Sequence, residues 1–206
     1  MMNATGKEIE VKFLVKNINR VEMRLQELGA QLVQRRIFER NLRFDLPDAT
    51  LRNSFKVLRL RQDENAVLTY KGPGKLVDGI REREEWEVTV SDIAVMQKIL
   101  TSLGYDVMFI YEKFRTTYEK NNAHVMLDET PLGHFVEIEG ENKDSIVSLA
   151  NQLHLDFSTA ISESYLSLFE RAQNSLELTF RDLTFDYFAG IKVQPSSLGV
   201  TCADKG

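Results

Sequence analysis

Glu8-Ile9-Glu10-Val11-Lys12-Phe13-Leu14-Val15 alternates charged and apolar residues over its first six positions. Side chains point to opposite faces along a strand, so Glu8, Glu10 and Lys12 share one face and Ile9, Val11 and Phe13 the other. The apolar face belongs against a core. The charged face either meets water or is turned into a shared interior, and the rest of the chain bears on that choice.

The pattern recurs. Arg59 and Arg61 lie opposite Leu58 and Leu60, and Thr69 and Lys71 opposite Leu68 and Tyr70. Arg83, Glu85 and Glu87 share a face, as do Lys113 and Arg115, and His124, Met126 and Asp128; Glu137 and Glu139 oppose Val136 and Ile138. Strands are expected near 8–15, 37–45, 56–62, 66–71, 83–90, 110–119, 123–128 and 134–139. Helices interrupt them. The first starts at Asn17 as cap, places Ile18, Val21, Leu25 and Leu28 on one stripe, and stops at Gly29. The second repeats this design with Ser91 as cap, Ile93, Met96, Leu100 and Leu103 as stripe, and Gly104 as stop. A third is expected over about 143–154, and a last one around Tyr165, Leu166, Leu168 and Phe169. Glu8-Ile-Glu10, Glu85-Trp-Glu87 and Glu137-Ile-Glu139 each precede a helix, which suggests a duplicated strand–helix–strand unit with a partial third copy.

At 206 residues the chain suits one domain with a full core. A net charge of −5 argues against a general nucleic-acid binder, since phosphate backbones are held by surplus Lys and Arg. Cys202 is the only cysteine, so no disulfide framework exists. No apolar run approaches the roughly 20 residues of a membrane helix, and no signal-peptide core is visible. A cytoplasmic protein without membrane or nucleic-acid partners is the expectation.

Two readings of the charged faces remain. One is an open sheet whose charged side is wet. The other is a closed barrel: eight strands suffice to close one, which turns that face inward and removes exposed edges. The signs segregate by strand, with acids paired at 8/10 and 137/139 and bases at 59/61 and 113/115. An inward face sets the acids Glu8, Glu10, Glu85, Glu87, Asp128, Glu137 and Glu139 among the bases Lys12, Arg59, Arg61, Lys71, Arg83, Lys113 and Arg115. Clustered carboxylates suit a hard cation such as Mg²⁺ or Mn²⁺, and clustered Arg and Lys suit phosphate oxygens. Together they describe a polyphosphate–metal site.

In these motifs the sequence resembles the CYTH superfamily, the triphosphate tunnel metalloenzymes. The resemblance rests on Glu8-x-Glu10-x-Lys12, followed in order by Arg59-Leu-Arg61, Thr69-Tyr-Lys71-Gly-Pro, Arg83-x-Glu85-x-Glu87, Lys113-x-Arg115, Leu127-Asp128 and Gly133-x-Phe135-x-Glu137-x-Glu139. Ser164-Tyr165-x-x-Leu168 is similar to the closing segment of the class IV adenylyl cyclase branch. The resemblance implies an α+β fold, an eight-stranded antiparallel barrel with helices outside. It implies that Glu8, Glu10, Glu137 and Glu139 ligate Mg²⁺ or Mn²⁺, with Glu85, Glu87 and Asp128 as further ligands or supports. Lys12, Arg59, Arg61, Lys71, Lys113 and Arg115 would contact the triphosphate, and Arg83 joins them as a further cation of the same face.

Three functions follow from this set. The first is hydrolysis of a triphosphate (tripolyphosphate, thiamine triphosphate or ATP), with Lys12 orienting or deprotonating the attacking water if its pKa is depressed. The second is cyclisation of ATP to cyclic AMP and pyrophosphate, and the third is polyphosphate or nucleotide binding without catalysis. The CYTH-like part spans residues 1–171. The extension 172–206 is apolar-rich from Leu176 to Phe188 and is read as core packing, a cap on the barrel or a homodimer contact; beyond about residue 190 it reads as a loose tail.

Overall fold

The alternating segments do form strands, and the strands close on themselves. A computed structural model describes residues 6–204. Nine strands run β1 Lys7–Val15, β2 Gln31–Asp45, β3 Val57–Gln62, β4 Ala66–Lys71, β5 Lys75–Val77, β6 Ile80–Val90, β7 Asp106–Lys120, β8 Ala123–Thr130 and β9 Gly133–Glu139. The longer helices are α1 Ile18–Glu27, α3 Ile93–Ser102, α4 Lys143–Gln152 and α5 Tyr165–Leu176, with single turns α2 Thr50–Asn53 and α6 Pro195–Leu198. The sheet order is β1-β9-β8-β7-β2-β3-β4-β6-β5, and β1 also pairs with β6, joining Lys7–Glu10 to Glu84–Arg81. Eight strands therefore form a closed antiparallel ring, and β5 hangs from β6 outside it. The expected barrel is the one observed, and the open wet sheet is excluded.

The outer face is covered where its residues are apolar. Val11, Phe13, Val125, Leu127, Val136 and Ile138 pack under Val21 and Leu25 of α1 and Ile146, Leu149 and Ala150 of α4. Leu42, Phe44 and Leu60 pack under Leu100 of α3. Asn17 accepts from the Arg20 amide as the cap of α1, as expected. At α3 the cap is Asp92, which accepts from the Val95 amide, rather than Ser91. Gly29 (φ 70°) and Gly104 (φ 91°) take the left-handed turn after α1 and α3 that side chains with a Cβ resist. Among the described residues no helix is long and apolar enough to cross a membrane.

The C-terminal stretch departs from expectation. β8 joins β7 only from Phe114 onward, which leaves residues 106–113 of β7 open on that side. The extension fills the gap: Leu183 donates to the Ile110 carbonyl and accepts from the Glu112 amide, and Asp182 accepts from the Ile110 amide. Helix α5 and the extension bring Leu168, Phe169, Leu183, Phe188 and Leu198 against Leu14, Phe109, Tyr111 and Phe135. Core packing is thus the role of the 176–188 segment. Residues 191–204 are not loose. Ala203 is buried and its amide donates to the Leu14 carbonyl, while the Asp204 carboxylate accepts from the Lys16 and Asn17 amides at 2.7 and 2.9 Å. Periodicity is absent there because each apolar residue fills a separate gap.

Candidate active site

Closing the ring turns the charged faces inward around one cavity of about 650 Å³, within the usual range for small-molecule sites. All the predicted site residues line it except Asp128. Cross-strand register explains why. Glu10 pairs with Glu139 and Lys12 with Glu137, Glu8 with Arg83, Lys71 with Glu85 and Thr69 with Glu87, and Arg59 with Thr69. Directly paired residues share a face, so one alternation propagates around the barrel.

Of the two roles expected for Asp128, ligand or support, its contacts are those of a support. Its side chain is fully buried, accepting from Arg115 Nε and Nη2 at 2.6 Å each, from Lys113 at 2.9 Å and from the Tyr165 hydroxyl at 2.8 Å. Both oxygens are thus engaged by side chains that Asp128 holds in place, and it lies outside the cavity lining. Glu137 is also engaged, by Lys12 at 2.8 Å and by Arg115.

Lys12 is buried, with its ammonium 4.4 Å from the centre of the Tyr165 ring. Burial works against its charge, but Glu137, Glu10 and Asp128 together outweigh burial and hold its pKa above the ordinary lysine value. The depressed pKa that a water-deprotonating Lys12 requires is therefore not met in the metal-free protein, whereas an orienting role is compatible with the charged group. Lys71 behaves likewise. Burial lowers its pKa and nearby Arg83 does so too, yet Glu8 at 2.7 Å and Glu85 at 3.0 Å raise it overall. Arg59 is held by Glu87 at 3.3 Å, Thr69 at 3.2 Å and the Tyr111 hydroxyl at 3.4 Å.

The carboxylates are uneven. Burial first, then Glu8, Glu85 and Glu10, push the Glu139 carboxyl up to about 7 despite Lys71. That crowding marks a place short of positive charge. Among the described residues no three His, Cys, Asp or Glu side chains converge into a ready-made metal site. The donor chemistry nevertheless fits a hard divalent cation. Glu8, Glu10, Glu85 and Glu139 offer only oxygen ligands from adjoining strands, and their repulsion is what a cation relieves.

Several lining residues escaped the sequence reading. Glu39 is 1% exposed and sits 3.7 Å from Lys113 and 3.9 Å from Arg61. Burial opposes its charge, but Lys113, Arg115, Arg61 and Arg59 bring its pKa down to about 2. Arg43, Tyr111 and Tyr165 also face the cavity. The signal for the first two was present: Glu39, Asn41 and Arg43 alternate with Leu42 and Phe44 as the other site strands do.

The family model for the CYTH domain matches residues 6–166. A Methanocaldococcus jannaschii protein named "putative adenylate cyclase" is 29% identical over 172 residues, which cover 78% of this chain and 97% of the relative. A Pyrococcus horikoshii structure is 27% identical with a TM-score of 0.66, covering 77% of this chain and 96% of that one. A Vibrio parahaemolyticus structure shares the fold at 23% identity and a TM-score of 0.70, covering 77% and 94%. The closed eight-stranded ring, its inward Glu8-x-Glu10-x-Lys12 strand and the match over 6–166 place the chain in the CYTH domain family.

Proposed function

We propose that the protein is a divalent-metal-dependent phosphohydrolase of triphosphates, acting on inorganic tripolyphosphate or on a small molecule that carries the group. The observation behind this reading is the opposition of two walls in one cavity. Glu8, Glu10, Glu85, Glu87, Glu137 and Glu139 lie on β1, β6 and β9, with Lys12, Arg81 and Arg83 among them, and Arg43, Arg59, Arg61, Lys113 and Arg115 lie on β2, β3 and β7, with Glu39 and Glu119 among them. In the eight-stranded ring β2 lies four strands from β1 in either direction, so the walls face each other.

Mg²⁺ or Mn²⁺ held by Glu8, Glu10 and Glu139, with Glu85 beside them, would screen phosphate charge and activate water. The remaining work belongs to the chain's own side chains. Arg59, Arg61, Lys71, Lys113 and Arg115 bind and align the phosphate chain. Asp128 and Tyr165 hold Lys113 and Arg115 in place from behind. Lys12, whose charge Glu10 and Glu137 favour, stabilises the negative charge that grows on the transferred group. Hydrolysis needs only this charged cavity and water. Cyclisation of ATP uses the same residues with a ribose hydroxyl in place of water, and the name of the Methanocaldococcus relative favours it as the second reading.

Separating the products of tripolyphosphate, thiamine triphosphate and ATP, each incubated with Mg²⁺ or Mn²⁺, distinguishes the two. Orthophosphate is expected. Cyclic AMP with pyrophosphate would replace the hydrolase by the cyclase, and binding without turnover would reduce the protein to a polyphosphate-binding module.

A further inference from the structure

Each of the seven predicted cations has a carboxylate oxygen within 3.3 Å. Arg43 has none. It lines the cavity from β2, yet among the described residues its guanidinium is the one lining Lys or Arg group with neither an ion pair nor a hydrogen bond. Its cross-strand neighbours are Arg59 on one side and Phe109 on the other. Burial, then the charges of Arg83, Arg59 and Arg52, disfavour its cation, and only the Tyr111 hydroxyl acts in its favour.

The same wall holds other buried polar atoms without a hydrogen-bond partner, Glu39 Oε2 among them. Asn41, two residues back on the same face, is fully buried with neither side-chain amide atom bonded. Arg59 leaves a buried Nε without a hydrogen bond, whereas the Arg61 Nε has the Asp63 carboxylate at 3.1 Å. A half-buried cation among cations is costly to a fold and gives it nothing in return. It becomes favourable once anionic oxygens arrive, and guanidinium groups suit phosphate in particular.

We infer that Arg43 is a substrate-binding residue, whose guanidinium takes phosphate oxygens of the bound triphosphate from the wall opposite the carboxylates. This rests on the triphosphate reading of the cavity. It adds a contact that neither the charged motifs nor their spacing identified, and it explains why the chain keeps an unmatched charge on that wall.

The test is calorimetric titration of tripolyphosphate into the full chain, run once in chelator and once with Mg²⁺, beside melting curves of the free protein. Arg43→Met should weaken binding about tenfold to a hundredfold, the effect of losing one charged hydrogen-bonding group. Arg43→Lys should restore most of it. The free Arg43→Met protein should melt at or above the parent temperature, because an unmatched charge has been removed. Arg36→Met, which removes an outer arginine stacked on Phe114, should bind as the parent does. Unchanged affinity in Arg43→Met overturns the inference, as does an equal fall in Arg36→Met, which would reduce the effect to net charge. A lowered melting temperature that Arg43→Lys does not repair would make the residue structural. If the parent binds no tripolyphosphate in either condition, the triphosphate reading fails and takes the inference with it.

Discussion

Replacing Glu39 by Gln should destabilise the free protein while strengthening its hold on triphosphate. Glu39 is buried on β2 opposite Lys113, with Arg61 on the neighbouring strand. Its carboxyl is held near 2 against the usual 4.5, the cations outweighing burial. Each factor of ten in proton affinity is worth about 1.4 kcal/mol, so this gap corresponds to at most about 3.5 kcal/mol at neutral pH. The ion pairs are long and Oε2 lacks a hydrogen bond, so about 2 kcal/mol is the better expectation from Coulomb attraction at such distances. For a domain of this size that lowers the melting temperature by roughly 4–8 °C. The pKa is depressed on folding, so the stabilisation is present above about pH 4.5 and is lost as pH falls towards 2. Urea unfolding at pH 7 and at pH 3 should therefore show a larger gap between parent and Glu39→Gln at pH 7. In the variant Lys113 and Arg61 lose a competitor, so tripolyphosphate should bind more tightly. Equal stability of the two proteins at pH 7 would refute the view that Glu39 balances the cation wall.

Other expectations follow the same electrostatics. Glu139 has a raised pKa, so its contribution is full below about pH 4.5 and is lost as pH rises through about 7; Glu139→Gln should raise the melting temperature of metal-free protein at pH 8 and leave it little changed at pH 4.5. Lys12→Ala should lower kcat more than it alters KM, whereas Arg59→Ala should chiefly weaken binding, by about 1.5–3 kcal/mol per charged hydrogen bond; a Lys12→Ala enzyme with normal kcat and raised KM would make Lys12 a phosphate clamp only. Truncation after Glu177 removes Leu183, Phe188 and Leu198 from the core and should unfold the barrel or lower its melting temperature by more than 10 °C, at several kcal/mol for three large buried side chains; a truncated chain as stable as the parent would show the extension to be dispensable.

The barrel was legible because one physical rule, alternation on a strand, was obeyed by seven segments whose inward residues carry charge. That is why all but one of the predicted charges share the cavity. Alternation could not show depth. Asp128 has the inward parity, but it lies where α5 fills the barrel, and only packing reveals that Tyr165, Lys113 and Arg115 consume its oxygens. Glu39 and Arg43 alternate as the other site residues do, but they carry opposite signs on one strand with the uncharged Asn41 between them, so they did not stand out as a like-charged pair. The early part of β2, from Gln31, and the short, exposed β5 escaped for want of periodicity. Whether the Lys12 pKa is depressed could not be read from the sequence, because the answer depends on the three acids that packing sets around it, and these outweigh its burial. The C-terminal segment illustrates the limit of pattern reading, because its residues are selected by gaps in a surface formed elsewhere in the chain.

The claim that a metal-loaded, carboxylate-lined cavity cleaves triphosphate is tested most directly by orthophosphate release from tripolyphosphate in metal-free protein, before and after Mg²⁺ or Mn²⁺ is restored. No release is expected in excess chelator, with recovery on adding either metal and a loss of about a hundredfold or more in Glu8→Ala, roughly 2.7 kcal/mol of transition-state stabilisation. Full release in chelator from a metal-free preparation, or an unimpaired Glu8→Ala enzyme, would contradict the claim.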